Sequence, residues 1–494
     1  MRPVKGSLGN RRAARFGRLD SGAMRHGLAG HGGSPHRGRW VLAAILLAFA
    51  CLLALAPRAH GAKNMEVAIQ DDPVFVADQS IGRDAGIKRA RELGVTRIRV
   101  NLSWATVVDI DQRQLKKAPA NIKYDFSLYD PLVEATRGTG IAVQFALVGP
   151  APAFATGDKK IGANAPKARY FEDFAGAAAR HYKGGVDRYS VWNEPNYVGW
   201  LAPLNKAPKI YRALYTGGYR AIKAADPKAT VLIAETSPYK IVKGKRKKQF
   251  STAPIEFMRQ VTCSNQSLTK TRCKGLKADG YAHHPYDFDH KPTFKFPGSD
   301  NATMATLGNL TGALDKLAKS KALTTPDGKP LDLYLTEYGY FASGKRKTHE
   351  NKRSKYLPQA FKMAQKDPRV KEMLQYLLVQ PPVGYRFFDT SIMTFGGSPL
   401  RTFNSLSGWG QAAQKRGDVA SSALLSSPQD PPAAPPSGGG GEGGGGGTTP
   451  PPPGTPPPSN PPPNPPPSNP PPPPPPNSPP YCQVPPPLKP PGCP

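Results

Sequence analysis

The sequence predicts an α/β protein, a (β/α)8 TIM barrel carrying a disordered Gly/Pro-rich C-terminal tail. Three observations carry this expectation. Eight short, apolar, β-rich runs recur between residues 65 and 380, helical patterns separate them, and most of the 58 prolines crowd into the chain after Ser426. Strand then helix, repeated eight times, makes a parallel sheet with outer helices. Eight repeats over roughly 350 residues suit a closed barrel with enlarged loops.

The runs are 67–69, 95–102 (VTRIRVNL), 141–148 (IAVQFALV), 187–192, 230–234 (TVLIA), 280–283, 331–335 and 373–380 (MLQYLLVQ). Each is bounded by turn residues, as buried parallel strands are. The helical patterns cover 83–93, running into Gly94; 127–137, ending at Gly138; and 170–183, ending at Gly184-Gly185. The next covers 207–225 and stops at Asp226-Pro227, because the residue before a proline leaves the helical region. Residues 253–261, 304–319 and 354–366 complete the set. An open doubly wound sheet would want a glycine-rich phosphate turn after its first strand. Here the first strand runs into Gln70-Asp71-Asp72-Pro73.

Three regions follow: an N-terminal region over 1–62, the barrel over 63–425 and the tail over 426–494. Residues 40–56 (WVLAAILLAFACLLALA) are 17 apolar or small residues with arginines before them and Arg58 after. They read as a signal peptide or a membrane anchor, and the length sits at the lower limit for spanning. Small residues in Ala59-His60-Gly61-Ala62 favour the signal peptide. The protein is therefore expected outside the cell or at its surface, touching membrane only through this segment if it stays uncleaved. In the tail, Gly438 to Gly447 is a flexible linker and the proline blocks are a polyproline II spacer rising about 3.1 Å per residue. Such a tail spans a wall or is inert.

Net charge is +32. Residues 1–63 hold 11 basic and 1 acidic residue and residues 426–494 hold 1 and 2, so the barrel is itself strongly basic. Such a field favours polyanions: nucleic acid, anionic lipid or acidic glycans. The basic runs (243–248, 345–347 and 352–355) are short and loop-like, and the export segment argues against a nucleic-acid partner. Cys263 pairs with Cys273 and Cys482 with Cys493 in the expected oxidising compartment, each closing a short loop. Neither pair has zinc spacing. No metal and no cofactor is expected.

Chemistry in such a barrel lives at the carboxyl ends of strands. Strand four ends Trp192-Asn193-Glu194-Pro195-Asn196 and strand seven ends Thr336-Glu337-Tyr338-Gly339. Strand two ends with Arg99 and Trp104, strand five with Glu235, and strand six with His283-His284-Pro285-Tyr286. Glycoside hydrolysis needs one carboxyl to protonate the leaving oxygen and another to attack or to activate water. Glu194 and Glu337 are the candidates. His283 alternates with His284 and is read as core. Asp287, Asp289 and His290 are read as a solvated loop.

The WNEPN stretch on strand four, the TEYG stretch on strand seven, Arg99 on strand two and His284-x-Tyr286 on strand six resemble clan A of the retaining glycoside hydrolases, nearest to families 5 (cellulase-like) and 39. The resemblance covers about residues 65–409. It implies Glu194 as acid/base, Glu337 as nucleophile and Asn193 as the contact to the sugar 2-hydroxyl, with Arg99, His284 and Tyr286 around the nucleophile. Two departures stand out. Many relatives close strand eight with a tryptophan that floors the sugar site, whereas the run here ends Leu377-Leu378-Val379-Gln380. Stacking is then expected from Trp104, Tyr197, Trp200 or Tyr340. Glu235 stands where relatives have small residues. It is a third site carboxylate, a partner for a lysine-rich loop, or idle.

The expected activity is a secreted retaining glycosidase acting on a polysaccharide or oligosaccharide. The alternative is a non-catalytic glycan-binding or wall-associated protein on a degenerate barrel. A third reading is transglycosylation.

Overall fold

A computed structural model of the chain describes residues 64–245, 247–382 and 388–421. The apolar run 40–56, the tail and the Cys482–Cys493 pair lie outside the described residues. Eight parallel strands close into a barrel: β1 Glu66–Gln70, β2 Arg97–Ser103, β3 Ala142–Val148, β4 Arg188–Val191, β5 Thr230–Thr236, β6 Gly280–His283, β7 Leu333–Leu335 and β8 Val370–Tyr376. The last strand pairs with the first, Glu66 opposite Glu372 and Gln70 opposite Tyr376.

Eight helices alternate with them: α1 Arg83–Glu92, α2 Asp130–Thr136, α3 Ala168–His181, α4 Ala207–Ala225, α5 Pro254–Val261, α6 Leu307–Lys319, α7 Glu350–Lys366 and α8 Arg401–Lys415. Gly94, at φ +76, follows α1 in the left-handed conformation that ends a helix at little cost to glycine. The α8 helix packs its Gly410 on the Leu93 carbonyl, where a Cβ would come within 2.2 Å. That helix had no place in the sequence pattern, because its apolar residues are sparse.

The sheet sorts its side chains by period two. Val67, Ile69, Ile98, Val100, Leu102, Phe145, Leu147, Val191, Val231 and Ile233 are buried among the apolar residues between sheet and helices. Many of the alternate positions are polar, and charged ones meet across the barrel. Near the amino ends of the strands, Arg97 reaches Glu66 at 2.8 Å and Asp187 at 2.6 Å, and Arg188 reaches Glu66 at 2.5 Å and Glu372 at 2.9 Å. Disulfide Cys263–Cys273 closes the loop after α5. Among the described residues no helix is long and apolar enough to cross a membrane.

The eighth strand corrects one expectation. It begins at Val370 and ends at Tyr376, so the apolar run 373–380 is only half strand. Beyond it the backbone turns away at Leu377, φ +63. The Asp71 carboxylate then accepts from the Leu378 and Val379 amides at 3.0 and 2.9 Å. The strand therefore closes on an aromatic residue, Tyr376.

Candidate active site

At the carboxyl ends of the strands lies a cleft of about 650 Å³. Its lining includes Asp72, Asn101, Asn193, Glu194, Tyr197, Trp200, Tyr239, Lys243, Tyr286, Glu337, Tyr376 and Phe388.

Pro195 cannot donate to a ladder, and β4 stops short of it. Trp192 and Glu194 then adopt φ +70 and +35. Across the seam, β5 carries an irregularity between Ala234 and Thr236, with Ala234 at φ +93 and Glu235 at +49. A bulge re-aims the side chain it carries. Here it turns Glu235 into the barrel, and the Glu235 carbonyl accepts from the Glu194 amide at 2.9 Å. Left-handed non-glycine residues cost of order 1–3 kcal/mol each and persist only where the surroundings over-determine them. Four of them meet at this seam.

Glu337 follows β7. Its Oε1 accepts from Arg99 Nη1 at 3.0 Å and its Oε2 from the Tyr286 hydroxyl at 3.3 Å. Arg99 also donates to Gln70 and, through Nη2, to Asn193 Oδ1 at 2.9 Å. Its Nη2 stands 3.3 Å from Glu235. His284 lies beneath the carboxylates. Its Nδ1 is 3.1 Å from Glu194 Oε1 and 3.6 Å from Glu337 Oε2, and its Nε2 is 2.7 Å from Glu235 Oε2. Thr336 donates to that same oxygen at 2.5 Å.

Burial alone would discharge the His284 ring, but Glu337, Glu194 and Glu235 outweigh it and push it up to about 10. A ring so charged donates from both nitrogens. Burial would raise Glu235 too. Arg99 and His284 reverse that and bring it down to about 2. Glu337 goes the other way: burial raises it above the ordinary glutamate value, with the His284 and Arg99 charges pulling against the shift. Asp72 is raised to about 6, chiefly by burial. It accepts from the Asn101 amide and the Gln70 side chain, both at 3.1 Å.

The structure divides the residues singled out in the sequence. Glu194, Glu337, Asn193, Tyr286 and Trp200 line the cleft. Arg99 and His284 are fully buried under it, so they act on the carboxylates and not on a sugar. Trp104 sits outside the barrel wall, 5.5 and 5.8 Å from the rings of Phe171 and Phe174. Tyr340 is buried as well, bonded to the Tyr338 hydroxyl and the His290 carbonyl. Neither stacks on a ligand in the cleft. His283 is core: its ring meets Thr236 at 2.9 Å and the Ala302 carbonyl at 2.9 Å. Glu235 is a third carboxylate of the site and has no lysine partner among the described residues. Asp287 pairs with His290 and Asp289 with Arg346.

Residues missed in the sequence are Asp72, Gln70, Tyr376 and Phe388. Asp72 carried a usable signal, because an acid directly after a strand obeys the same rule that selected Glu194 and Glu337. Tyr376 is two positions beyond Leu374 and four beyond Glu372 on one face. The long apolar run masked that alternation. Phe388 comes from a loop and packs edge-on to Tyr376 at 5.6 Å and to Tyr286 at 5.5 Å.

No family model matches the chain, and no curated protein matches it. Solved structures do. A family 39 glycoside hydrolase from Bacteroides cellulosilyticus WH2 is 16% identical with a TM-score of 0.52, over 70% of this chain and 64% of that one. A monomeric β-xylosidase from Caulobacter crescentus is 19% identical over 71% and 69% of the two chains, TM-score 0.46. Cel5A from Thermotoga maritima is 13% identical over 71% and 97%, TM-score 0.43. The likeness to the Bacteroides structure, of whose length this chain spans less than two thirds, concerns the barrel. In that fold the chain resembles the clan A glycoside hydrolases.

Proposed function

We propose that this protein is an exported retaining glycoside hydrolase acting on a polysaccharide or oligosaccharide. One observation carries the reading. Carboxylates closing strands four and seven face one cleft and share one cation, His284 Nδ1. That nitrogen stands 3.1 Å from one carboxylate and 3.6 Å from the other, an arrangement that brings the two acids together and admits the short separation of a retaining pair. In this reading Glu194 protonates the glycosidic oxygen as the Glu337 carboxylate attacks the anomeric carbon. The C–O bond to the leaving group breaks and a glycosyl ester forms. Glu194, now ionised, takes a proton from water, which attacks the anomeric carbon; the bond from that carbon to the Glu337 oxygen breaks and the carboxylate is freed.

The surrounding groups suit these roles. Arg99 and Tyr286 hold Glu337 by one oxygen each and favour its ionised form. Asn193, turned into the cleft by the same break in β4, is placed to bind the 2-hydroxyl. The degenerate-barrel alternative is motivated by the missing strand-eight tryptophan, the basic field and the long tail; against the first of these, Tyr376 and Phe388 give the cleft an aromatic lining. Export follows from the apolar run 40–56 and suits a glycan outside the membrane. Incubation with 2-deoxy-2-fluoro glycosyl fluorides, followed by peptide mass spectrometry, tests the reading. The expected result is an adduct on Glu337; saturable glycan binding with no adduct and no turnover would favour the binder.

A further inference from the structure

The two walls of the cleft differ in charge. On the side of β1, β2 and β8, the polar lining includes Asp72, Asn101 and Tyr376. Among the described residues, the guanidinium and imidazole groups at the cleft are taken: Arg99 and His284 by carboxylates, and Arg346, which lies over the Phe288 and Phe341 rings, by Asp289 through two bonds of 3.1 and 2.7 Å. A carboxylate brought to this side would meet Asp72 and Glu337 with no spare positive partner among the described residues. Sugar hydroxyls, which donate, are what Asp72 accepts.

The other wall is basic and aromatic. Tyr197, Trp200 and Tyr239 line it, and Lys243 stands at its rim. Lys243 belongs to an antiparallel hairpin, Ile241–Lys243 with Lys248–Ser251, in which Lys243 lies opposite Lys248. Lys243, Lys245, Lys247 and Lys248 are all exposed. None of them has a carboxylate within 4 Å among the described residues, and Lys248 lies over the Phe250 ring at 5.5 Å. Ordinary surface lysines are solvated and inert, but these are joined to the catalytic loop. The Val198 amide donates to Phe250 O at 2.8 Å, and the Thr252 amide to Asn196 O at 2.8 Å. Asn196 in turn bonds Ser237 and Thr252. Glu194 and the lysine hairpin thus form one braced wall.

A proton donor stands beside the leaving group. We propose, resting on the role assigned to Glu194 above, that the hairpin wall is a leaving-group subsite for an anionic sugar while the Asp72 wall receives a neutral one. The enzyme then cuts the bond between a neutral residue and an acidic residue on its reducing side. Stacking on Trp200 or Tyr239 orders the acidic ring, and Lys243 and Lys248 meet its carboxylate.

Two measurements on the full chain test this. In the first, Glu337 labelling is compared for 2-deoxy-2-fluoro-glucosyl, xylosyl, galactosyl and glucuronyl fluorides. Labelling by a neutral donor is expected, and labelling by the glucuronyl donor alone would overturn the assignment of the Asp72 wall. In the second, calorimetry at low ionic strength compares tetragalacturonate with its methyl ester. The acid is expected to bind roughly tenfold tighter. K243E/K248E should abolish the preference, with melting unchanged, whereas K316E/K319E, an equal change of charge on α6, should keep it. Equal binding of acid and ester, or equal loss in both variants, would overturn the hairpin subsite. If no donor labels Glu337, the glycosidase reading itself falls, and the division into two subsites with it. Labelling without a charge preference sinks the subsite proposal alone.

Discussion

At the amino end of the barrel, Arg97 and Arg188 share three acids, Glu66, Asp187 and Glu372. At the carboxyl end, Arg99 and His284 share three more, Glu194, Glu235 and Glu337. The stoichiometry is the same and the arrangement is not. The lower cations are both guanidinium groups, whose charge is permanent, and Arg188 lies over the Tyr334 ring at 4.7 Å. None of those five residues has a left-handed backbone. In the upper set one cation is an imidazole, two of the carboxylates open onto a cleft, and Glu194 and Glu235 have positive φ. The lower network is built to stay as it is. The upper one holds carboxylates where protons and a substrate reach them, and the strained backbone keeps them aimed. Stability and chemistry are thus separable along β2, where Arg97 and Arg99 lie two residues apart.

The largest effect expected from this difference is on rate. Glu337→Ala should lower kcat/KM by roughly five orders of magnitude, since the step it performs has no substitute. Its melting temperature should move little, because removing one of three crowded carboxylates relieves repulsion. Full activity in this variant, measured on any substrate the wild type turns over, would sink the assignment. The lower network should answer in the opposite way. Arg188→Met leaves Glu372 buried without its partner and should cost about 3 kcal/mol in urea unfolding. The kcat of the folded protein should stay as it was. A variant that lost rate and kept stability would end the division drawn here.

Much of this was legible in the sequence because each barrel strand is short and has its own turn signals. The Trp192-Asn193-Glu194-Pro195 stretch announces both a strand end and a carboxylate. Glu337 was legible for the same reason. What was hidden depends on contacts between segments far apart in the chain. The role of Glu235 stayed open among three readings because nothing local shows that a bulge in β5 turns it toward Arg99 and His284. Tyr376 was hidden inside an apolar run that only the register with β1 divides. Trp104 misled in the other direction: it follows β2 at a promising position, but a one-turn helix carries it outward, onto Phe171 and Phe174. A tryptophan's apolar area rewards burial wherever the helix layer offers it.

A smaller effect is expected at the residue that ties the upper network together. Glu235→Gln keeps the shape and removes one of the three anions around His284. The kcat should fall about 10- to 100-fold, as when a buried orienting partner is lost. The ring should lose its proton at lower pH than the wild type's value of about 10, and NMR titration of the ring should show it. A purely structural role would lower stability and leave that titration in place. The acid limb of the pH profile should stay above the ordinary glutamate range in both proteins, because it belongs to the raised Glu337, which must ionise before it attacks. Stability has its own signs. The His284 contribution is complete below the ordinary histidine value of 6.5 and is lost as pH rises through about 10. The Glu235 contribution is complete above the ordinary 4.5 and is lost as pH falls through about 2. Both are fully present between those ordinary values, and thermal melting across pH should show the upper network strongest there.

The smallest effect separates the two aromatic positions. Tyr376 lines the cleft at the end of β8, and Trp104 packs against α3. Stacking and edge contacts of an aromatic ring are worth of order 1 kcal/mol beyond its buried area. Tyr376→Leu should therefore raise KM by roughly tenfold, with little change in kcat for a substrate whose leaving group needs no help. Trp104→Leu should do the reverse, lowering stability by about 2–3 kcal/mol through the cavity it leaves while KM stays unchanged. The pair is informative because the sequence offers Trp104 for stacking and does not single out Tyr376. If Trp104→Leu raised KM and Tyr376→Leu did not, the floor of the sugar site would lie on the strand-two side. The Asp72 wall would then have to be redrawn.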